Sequence, residues 1–520
     1  MKSTVINPQM QKLLMPNAKA GGISDLYGMR LDFVSRTMRS KNGEFWQKEG
    51  EKMALGLFRK AAEKIPAYKD FLKGNNVKPS LIKSIKDFSN VPFVDKENYL
   101  RKYPLEKLCW EGKLENNTLL SVSSGSSGKP FFWPRGDNLE IETTITHAMI
   151  FKEFFTAADK STLVINSFSM GIYIAGIITQ NSALRASQLG MPITVISPGI
   201  EVEDILRIII EVGGKYEQII LAGYPPFIKD IIDSGIRRGI RWKKYNIKFL
   251  FATENFSEEF RDYVVKNSGG SDVIHSAINI YGSADAGILA HETPISIAIR
   301  RALSKSNALS SALYGSSPFL PTFGQYNPIY KFFEVADEEL LFSAYGGIPL
   351  IRYNIHDSGK VFPFRDVLSI PELTQHTAVT NLRKGAWKLP FVGVFGKSDL
   401  TISFYGLKIY PENIKAGLEN DDITKLVSGR FIMEQKSRAD QSQYWEINIE
   451  LKEGARPTNK IRKTVADSVI RELKAKNLEY NRLHSALGKR SLPRIRLFEK
   501  GDKRYVDTRS AKHRWTKGQR

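Results

Sequence analysis

Cysteine is nearly absent from this chain, with one residue, Cys109, in 520. A single thiol excludes an intrachain disulfide and any zinc site built on paired cysteines. Long apolar runs are missing as well. No stretch approaches the roughly 20 apolar residues that span a bilayer, and the polar start Met1-Lys2-Ser3-Thr4 lacks the apolar core of a signal peptide. We therefore expect a cytoplasmic protein with no membrane partner. Acidic residues are the scarcer charge, 55 against 76 Lys and Arg, giving a net charge of +21. Positive excess favours anionic partners, but these basic residues are interleaved with acids, the pattern of a solvated surface. Only the C-terminus departs from it, with nine Lys or Arg and three Asp or Glu from Arg496 to Arg520. Zinc-finger spacing, heptad-linked basic regions and aromatic RNA-binding signatures are all lacking, so nucleic acid is a poor candidate partner.

What is present is globular: 42% hydrophobic and 25% charged residues, in a chain too long for one ordinary core. A large domain and a smaller one are expected. Residues 1 to about 115 read as helical and irregular, with apolar positions near a 3.6 period at Phe45, Met53, Leu55, Leu57, Phe58, Ala61 and Ile65. A second amphipathic helix is expected over 139–158, with Ile141, Ile145, Ala148, Met149 and Phe155 on one side. After it, short apolar runs at 163–166, 193–196, 218–222 and 247–251 are separated by helix-length segments, which points to βα units and a largely parallel sheet. Residues 301–330 are rich in serine and read as a mobile insertion. Beyond residue 396 the pattern is strand (431–433), strand (444–451), long helix (459–487) and strand (495–498), a small α+β lid.

The stretch Ser121-Val122-Ser123-Ser124-Gly125-Ser126-Ser127-Gly128-Lys129-Pro130 stands between a strand-like run and the helix at 139–158. Its glycines permit backbone conformations that aim successive N–H groups at one anion, its serines add donors and Lys129 adds charge. It is not a Walker A loop, because only two residues separate Gly125 from Gly128 and Pro130 follows the lysine. A Gly/Ser surface linker is the bland alternative. Parallel sheets bind ligands at the carboxyl ends of their strands, which draws attention to the turns Ala222-Gly223-Tyr224-Pro225-Pro226 and Ala252-Thr253-Glu254. Beyond them come Tyr281-Gly282-Ser283-Ala284-Asp285, where a strand ends in an aromatic, a glycine and a carboxylate, and Arg352-Tyr353-Asn354-Ile355-His356-Asp357, which follows a strand-like run. A glycine- and proline-punctuated stretch then runs from Gly396 through Lys397, Asp399 and Pro411, and the chain closes on Asp507-Thr508-Arg509-Ser510-Ala511-Lys512.

In this order, from Ser121 to Lys512, these segments resemble the motifs of the adenylate-forming superfamily, and within it the phenylacetate–CoA ligase branch. The resemblance implies an α/β architecture: a large domain (1–395) of mostly parallel sheets with flanking helices, which binds ATP and the acyl group, and a small mobile α+β lid (396–520) hinged near Asp399. It implies that Ser123, Ser124, Gly125, Ser126, Ser127, Gly128 and Lys129 hold the ATP phosphates. Ala252, Glu254, Tyr281, Gly282, Ser283 and Asp357 would hold adenine and ribose, Lys397 and Asp399 would form the hinge, Asp285 would bind Mg²⁺, and Lys512 would be the adenylation lysine. Asp285 stands where the family carries Glu, Lys397 where it carries Arg, and Ala511 where it carries Gly. Lys512 is otherwise one more lysine in a basic tail, with Lys503 the next candidate. The implied reaction is activation of a small-molecule carboxylic acid by ATP as an acyl-adenylate, then transfer to a thiol, with coenzyme A the foremost acceptor. A carrier protein or an amine as acceptor, a catalytically degenerate nucleotide binder, and a homodimer all stay open.

Overall fold

The computed structural model describes residues 7–15, 30–117, 119–123, 131–172, 174–314, 320–397 and 402–502. Contacts divide the chain into two units. The first comprises Met1–Val122, Phe132–Gly223 and Ile231–Gly396, and the second Ser123–Phe131, Tyr224–Asp230 and Lys397–Arg520.

The strands wholly or mainly in the first unit are β1 (Leu119–Ser123), β2 (Phe131–Arg135), β3 (Thr162–Asn166), β4 (Ile193–Ile196), β5 (Gln218–Gly223), β6 (Ile247–Ala252), β7 (Ala277–Ser283), β8 (Gly287–His291), β9 (Thr322–Gln325), β10 (Lys331–Ala336), β11 (Glu339–Ala344), β12 (Leu350–Phe362) and β13 (Phe391–Lys397). β1 pairs with β2, and the other eleven form one sheet in the order β10-β11-β12-β13-β9-β8-β7-β6-β5-β3-β4. Strands β4, β3, β5, β6 and β7 are parallel neighbours, as the alternation of short apolar runs with helix-length segments predicts. β3 and β5 are buried at every position, as strands covered on both faces must be. From β7 onward the expectation of a parallel sheet stops applying, and the β7–β8, β8–β9, β9–β13, β10–β11 and β11–β12 pairs are antiparallel. The cause lies in the links. β7 ends at Ser283 and β8 begins at Gly287, and a connection that short cannot make the crossover that parallel pairing requires.

Helix Asp137–Glu153 differs from its expected one-sided pattern, because it is buried almost all round. Its polar residues are satisfied internally: Glu140 accepts from Arg135 Nε at 2.9 Å and Glu142 is ion-paired with the buried Lys331. The serine-rich segment is not a mobile insertion in its described part. It forms the ends of helix Pro294–Ser304, helix Asn307–Tyr314 and strand β9. Leu309 and Leu313, one turn apart, face an apolar cluster with Ile299, Leu303, Phe323 and Phe391, while Ser304 and Ser311 face outward.

In the second unit β14 (Ile402–Phe404) and β15 (Leu407–Ile409) form a hairpin whose two-residue turn, Tyr405 (φ 51°) and Gly406 (φ 78°), takes the left-handed backbone that matches strand twist. β16 (Val427–Ser437) pairs antiparallel with β17 (Gln443–Leu451), which pairs parallel with β18 (Arg494–Phe498). The single helix expected over 459–487 is two, Asn459–Lys476 and Leu478–Leu487. Asn477 interrupts it: its side chain accepts from Tyr480 N at 3.0 Å and donates to Lys408 O at 3.2 Å, local bonds that favour a new helix start over continuation. No helix of the described residues is long and apolar enough to cross a membrane.

Candidate functional site

The carboxyl ends of β6 and β7 lie side by side in the parallel half of the sheet. The turn after β6 passes through Thr253 at φ 77° to the buried Glu254, whose carbonyl accepts from Asn279 Nδ2 on β7 at 3.1 Å. β7 then delivers Tyr281, Gly282 and Ser283. A Cβ on Gly282 would lie 2.8 Å from the Gly287 carbonyl oxygen, so the tight β7–β8 turn needs a glycine there. Ser283 Oγ accepts from Ala286 N at 3.2 Å, a local bond that closes the turn and presents Asp285.

Two tyrosine–aspartate pairs meet at this edge. Tyr281 donates its hydroxyl to Asp357 Oδ2 at 2.5 Å, and Tyr353 donates to Asp285 Oδ2 at 2.5 Å. Each pair joins a residue of the β7–β8 segment to one of β12. Asp357 and Asp285 are both buried, at 6% and 8% exposure. Burial, and then the neighbouring carboxylates, push both phenols well above their ordinary range, so both tyrosines stay donors at any physiological pH. β12 reaches this arrangement through irregular backbone, with left-handed φ at Arg352 (47°) and His356 (60°) and two register shifts against β11. Such conformations cost stability and persist where surrounding bonds impose them. Here Arg352 is ion-paired with Glu334 at 3.1 Å, Asn354 Nδ2 donates to Glu339 at 2.6 Å, and His356 N donates to Asn354 Oδ1 at 2.7 Å.

A lysine that no local sequence pattern marks completes the edge. Lys96 Nζ lies 3.3 Å from Asp285 Oδ2 and 5.7 Å from the centre of the Trp133 ring. Its segment is pinned beside β12, with Val94 N donating to Arg352 O and Asn354 N donating to Val94 O. Asp95 Oδ1 accepts from Glu97 N and Asn98 N, and Asp95 N donates to Asn98 Oδ1, which fixes the turn that carries Lys96.

Beneath β7 is a buried ionic cluster. Arg261 bonds Glu258 (2.9 Å) and Glu292 (2.6 Å) and donates to the Ala277 carbonyl; Glu292 Oε2 accepts from Asn279 N at 2.8 Å; Arg300 pairs with Glu258. Burial alone would push the Glu258 carboxyl up, but Arg261 and Arg300 outweigh it and hold the carboxyl down at about 2. Glu292 is thus a brace for β7. Its neighbour His291 is buried, its Nδ1–H donates to the Glu292 carbonyl at 2.8 Å, and burial pushes it down to about 4, which fits a structural histidine.

The structure brings Ala252, Glu254, Tyr281, Gly282, Ser283, Asp285 and Asp357 to one edge of the first unit. Ser123 closes β1 with its Oγ buried and unpaired. Ser124, Gly125, Ser126, Ser127, Gly128, Lys129, Asp399 and Lys512, with the side chain of Lys397, lie outside the described residues. Lys96, Tyr353 and Trp133 were not singled out. Tyr353 stands within a segment quoted for Asp357, but the signal for Lys96 is tertiary, since nothing near residue 96 encodes contact with residue 285. The residues present do not fit a magnesium ion caged by protein. Among the described residues no group of three or more His, Cys, Asp or Glu side chains is arranged to hold a metal ion, and the Asp285 carboxylate already faces an ammonium group and a phenol.

Comparison with solved structures gives the fold. The chain superposes on 2-hydroxyisobutyryl-CoA ligase in complex with 2-HIB-AMP and CoA in the thioesterification state with a TM-score of 0.62, at 14% identity, over 96% of this chain and 94% of that one. The same ligase in the postadenylation state with R3-HIB-AMP gives a TM-score of 0.51 at 15% identity, over 90% of each chain. No protein-family model and no curated protein matches the sequence. The fold is shared with this CoA ligase.

Proposed function

We propose that this chain is an AMP-forming ligase that activates a carboxylic acid as its acyl-adenylate and transfers the acyl group to a thiol, with coenzyme A as the foremost acceptor. The observation that carries this reading is the meeting of Tyr281–Asp357 and Tyr353–Asp285 at the carboxyl ends of a parallel sheet, in a fold shared with a ligase whose structure holds an acyl-AMP and CoA. Asp357 accepts from the paired hydroxyls of a ribose, which suits a buried carboxylate with several lone pairs. The Tyr281 ring and the turn at Ala252 and Glu254 flank the base, beside Gly282 and Ser283. The loop from Ser123 to Lys129 cradles the phosphates. The substrate carboxylate attacks the α-phosphorus, an acyl C–O–P linkage forms, the bond to the β-phosphate oxygen breaks, and pyrophosphate leaves. Lys512, on the small C-terminal domain (396–520) beyond the hinge at Lys397 and Asp399, neutralises charge at that centre, so catalysis rests on positioning and electrostatics. The thiol then takes the acyl group and AMP leaves. Mg²⁺, where it enters with ATP, would supply charge neutralisation on the phosphates. Membership of the phenylacetate–CoA ligase branch and a cytoplasmic location belong to the same proposal.

The test is carboxylate-dependent exchange of labelled pyrophosphate into ATP, screened over aryl, fatty and amino acids. Exchange with one acid class supports the reading and names the substrate. Exchange with none, in protein that still binds ATP, identifies a degenerate nucleotide binder instead. The acceptor follows from incubating the competent acid with coenzyme A, a phosphopantetheinyl carrier protein or an amine and asking which releases AMP.

A further inference from the structure

The Asp285 carboxylate faces a cation supplied by the chain itself. Lys96 Nζ is 3.3 Å from Oδ2, the oxygen that also accepts the Tyr353 hydroxyl at 2.5 Å. The lysine is about one-quarter exposed and the aspartate side chain 4% exposed, so the ammonium group stands between a buried carboxylate and the open side of the site. Its place is fixed from three directions. The Val94–Tyr353 bridge sets the backbone, the Asp95–Asn98 turn fixes the rotation of the segment, and the Trp133 ring lies under the ammonium at 5.7 Å. A lysine held this way loses little side-chain freedom when it binds an anion, which is the condition for a strong contact.

From this geometry we propose that Lys96 is a phosphate-contacting residue of the nucleotide site and that Asp285, with Tyr353, is its positioning residue and not a metal ligand. A divalent ion on Asp285 would sit next to an ammonium group in a buried setting, where like charges repel strongly. Lysine fills the same electrostatic role without an ion: it neutralises Asp285 and offers its remaining N–H donors to a phosphate oxygen. The shorter Asp at this position also has a rationale. A carboxylate that orients a lysine must leave room for it, and one methylene fewer does so. This inference rests on the proposed nucleotide site.

The experiment is calorimetric titration of the full-length protein with ATP, once with excess Mg²⁺ and once with EDTA, for the unaltered chain, Lys96→Met, Lys96→Arg and Asp285→Asn. The unaltered chain is expected to bind metal-free ATP. Lys96→Met should weaken metal-free ATP binding by about tenfold or more, the scale of one charge-assisted hydrogen bond, with a smaller loss for Mg-ATP because the ion screens the phosphates. Lys96→Arg should restore part of the affinity, which separates charge from folding, and Asp285→Asn should weaken ATP binding without changing the Mg²⁺ concentration needed for half-maximal binding. ATP binding that is equal in Lys96→Met and the unaltered chain overturns the inference and leaves the proposed function standing. So does an unaltered chain that binds ATP only with Mg²⁺, together with a raised Mg²⁺ requirement in Asp285→Asn. An unaltered chain that binds no ATP under either condition overturns the nucleotide reading and the inference together.

Discussion

Replacing Asp357 by alanine separates the nucleotide-binding role of this carboxylate from its structural one. In the structure its Oδ2 accepts only from Tyr281 among the bonds described, at 2.5 Å, and burial is the first cause of the raised Tyr281 phenol, so removing the acceptor leaves a buried donor. The stability cost should therefore be about 1 to 3 kcal/mol. The binding cost is read separately. Two ribose hydroxyls bonded to a charged acceptor at roughly 1.5 to 3 kcal/mol each set a loss of about ten- to a hundredfold in ATP affinity even if only one bond is lost in full. Tyr281→Phe is the companion variant: it removes the same hydroxyl–carboxylate bond but keeps the ring and the charge, so it should match the stability loss and retain most of the affinity. Calorimetry measures affinity and thermal melting measures stability. An Asp357→Ala protein that melts normally and binds ATP as tightly as the unaltered chain would remove Asp357 from the site, and equal losses in the two variants would mean that the pair acts through structure alone.

Three other outcomes follow from particular contacts. Gly282→Ala brings a Cβ to 2.8 Å from the Gly287 carbonyl oxygen, and the overpacking should lower stability by about 1 to 3 kcal/mol, read as a lower urea midpoint at constant slope. Glu258 titrates at about 2 in the fold against an ordinary 4.5, so between those values the unfolded chain holds more protons; the cluster's contribution is fully present above pH 4.5 and is lost as pH falls toward 2. Urea midpoints at pH 5 and pH 3 should therefore differ, and Glu258→Gln should flatten that difference; an identical pH profile in the variant would show that the cluster does not set it. Lys512→Ala should lower pyrophosphate exchange by about 10²-fold, the usual loss on deleting a preorganised charge, and the same loss in Lys503→Ala with Lys512→Ala unaffected would move the assignment to Lys503.

The parallel strands and the strand-end residues were legible in the sequence for the same physical reason. A strand buried on both faces must be almost wholly apolar, as β3 and β5 are, so the residue types change abruptly where the strand leaves the sheet. Ala252, Tyr281 and Asp285 stand at such changes. The one-sided pattern expected over 139–158 does not hold in helix Asp137–Glu153, because Arg135 and Lys331 from other elements meet Glu140 and Glu142 and bury that side as well. The serine-rich segment departs from its expected mobility for a related reason. Few apolar residues suffice to dock a short helix when they recur one turn apart, as Leu309 and Leu313 do.

Lys96 marks the limit of reading a site from local pattern. Each strand-end residue belongs to a segment whose own sequence announces a turn or a strand end, whereas Lys96 gains its role only because Val94 pairs with Tyr353 and so carries the lysine to Asp285. Charge supports the same conclusion from the other side. Asp285 and Asp357 are two buried acids at one edge, and both raise the Tyr281 phenol through space. Buried like charges repel, and a cation beside one of them lessens that repulsion. Tyrosine hydroxyls satisfy hydrogen-bonding needs of the carboxylates without balancing their charge. Lys96 balances it at Asp285, whereas Asp357 is held by the Tyr281 hydroxyl and, under the proposed function, would gain the neutral donors of a ribose. The two acids thus have different chemistry despite their matching tyrosine bonds, and the difference is set by which of them has a lysine beside it.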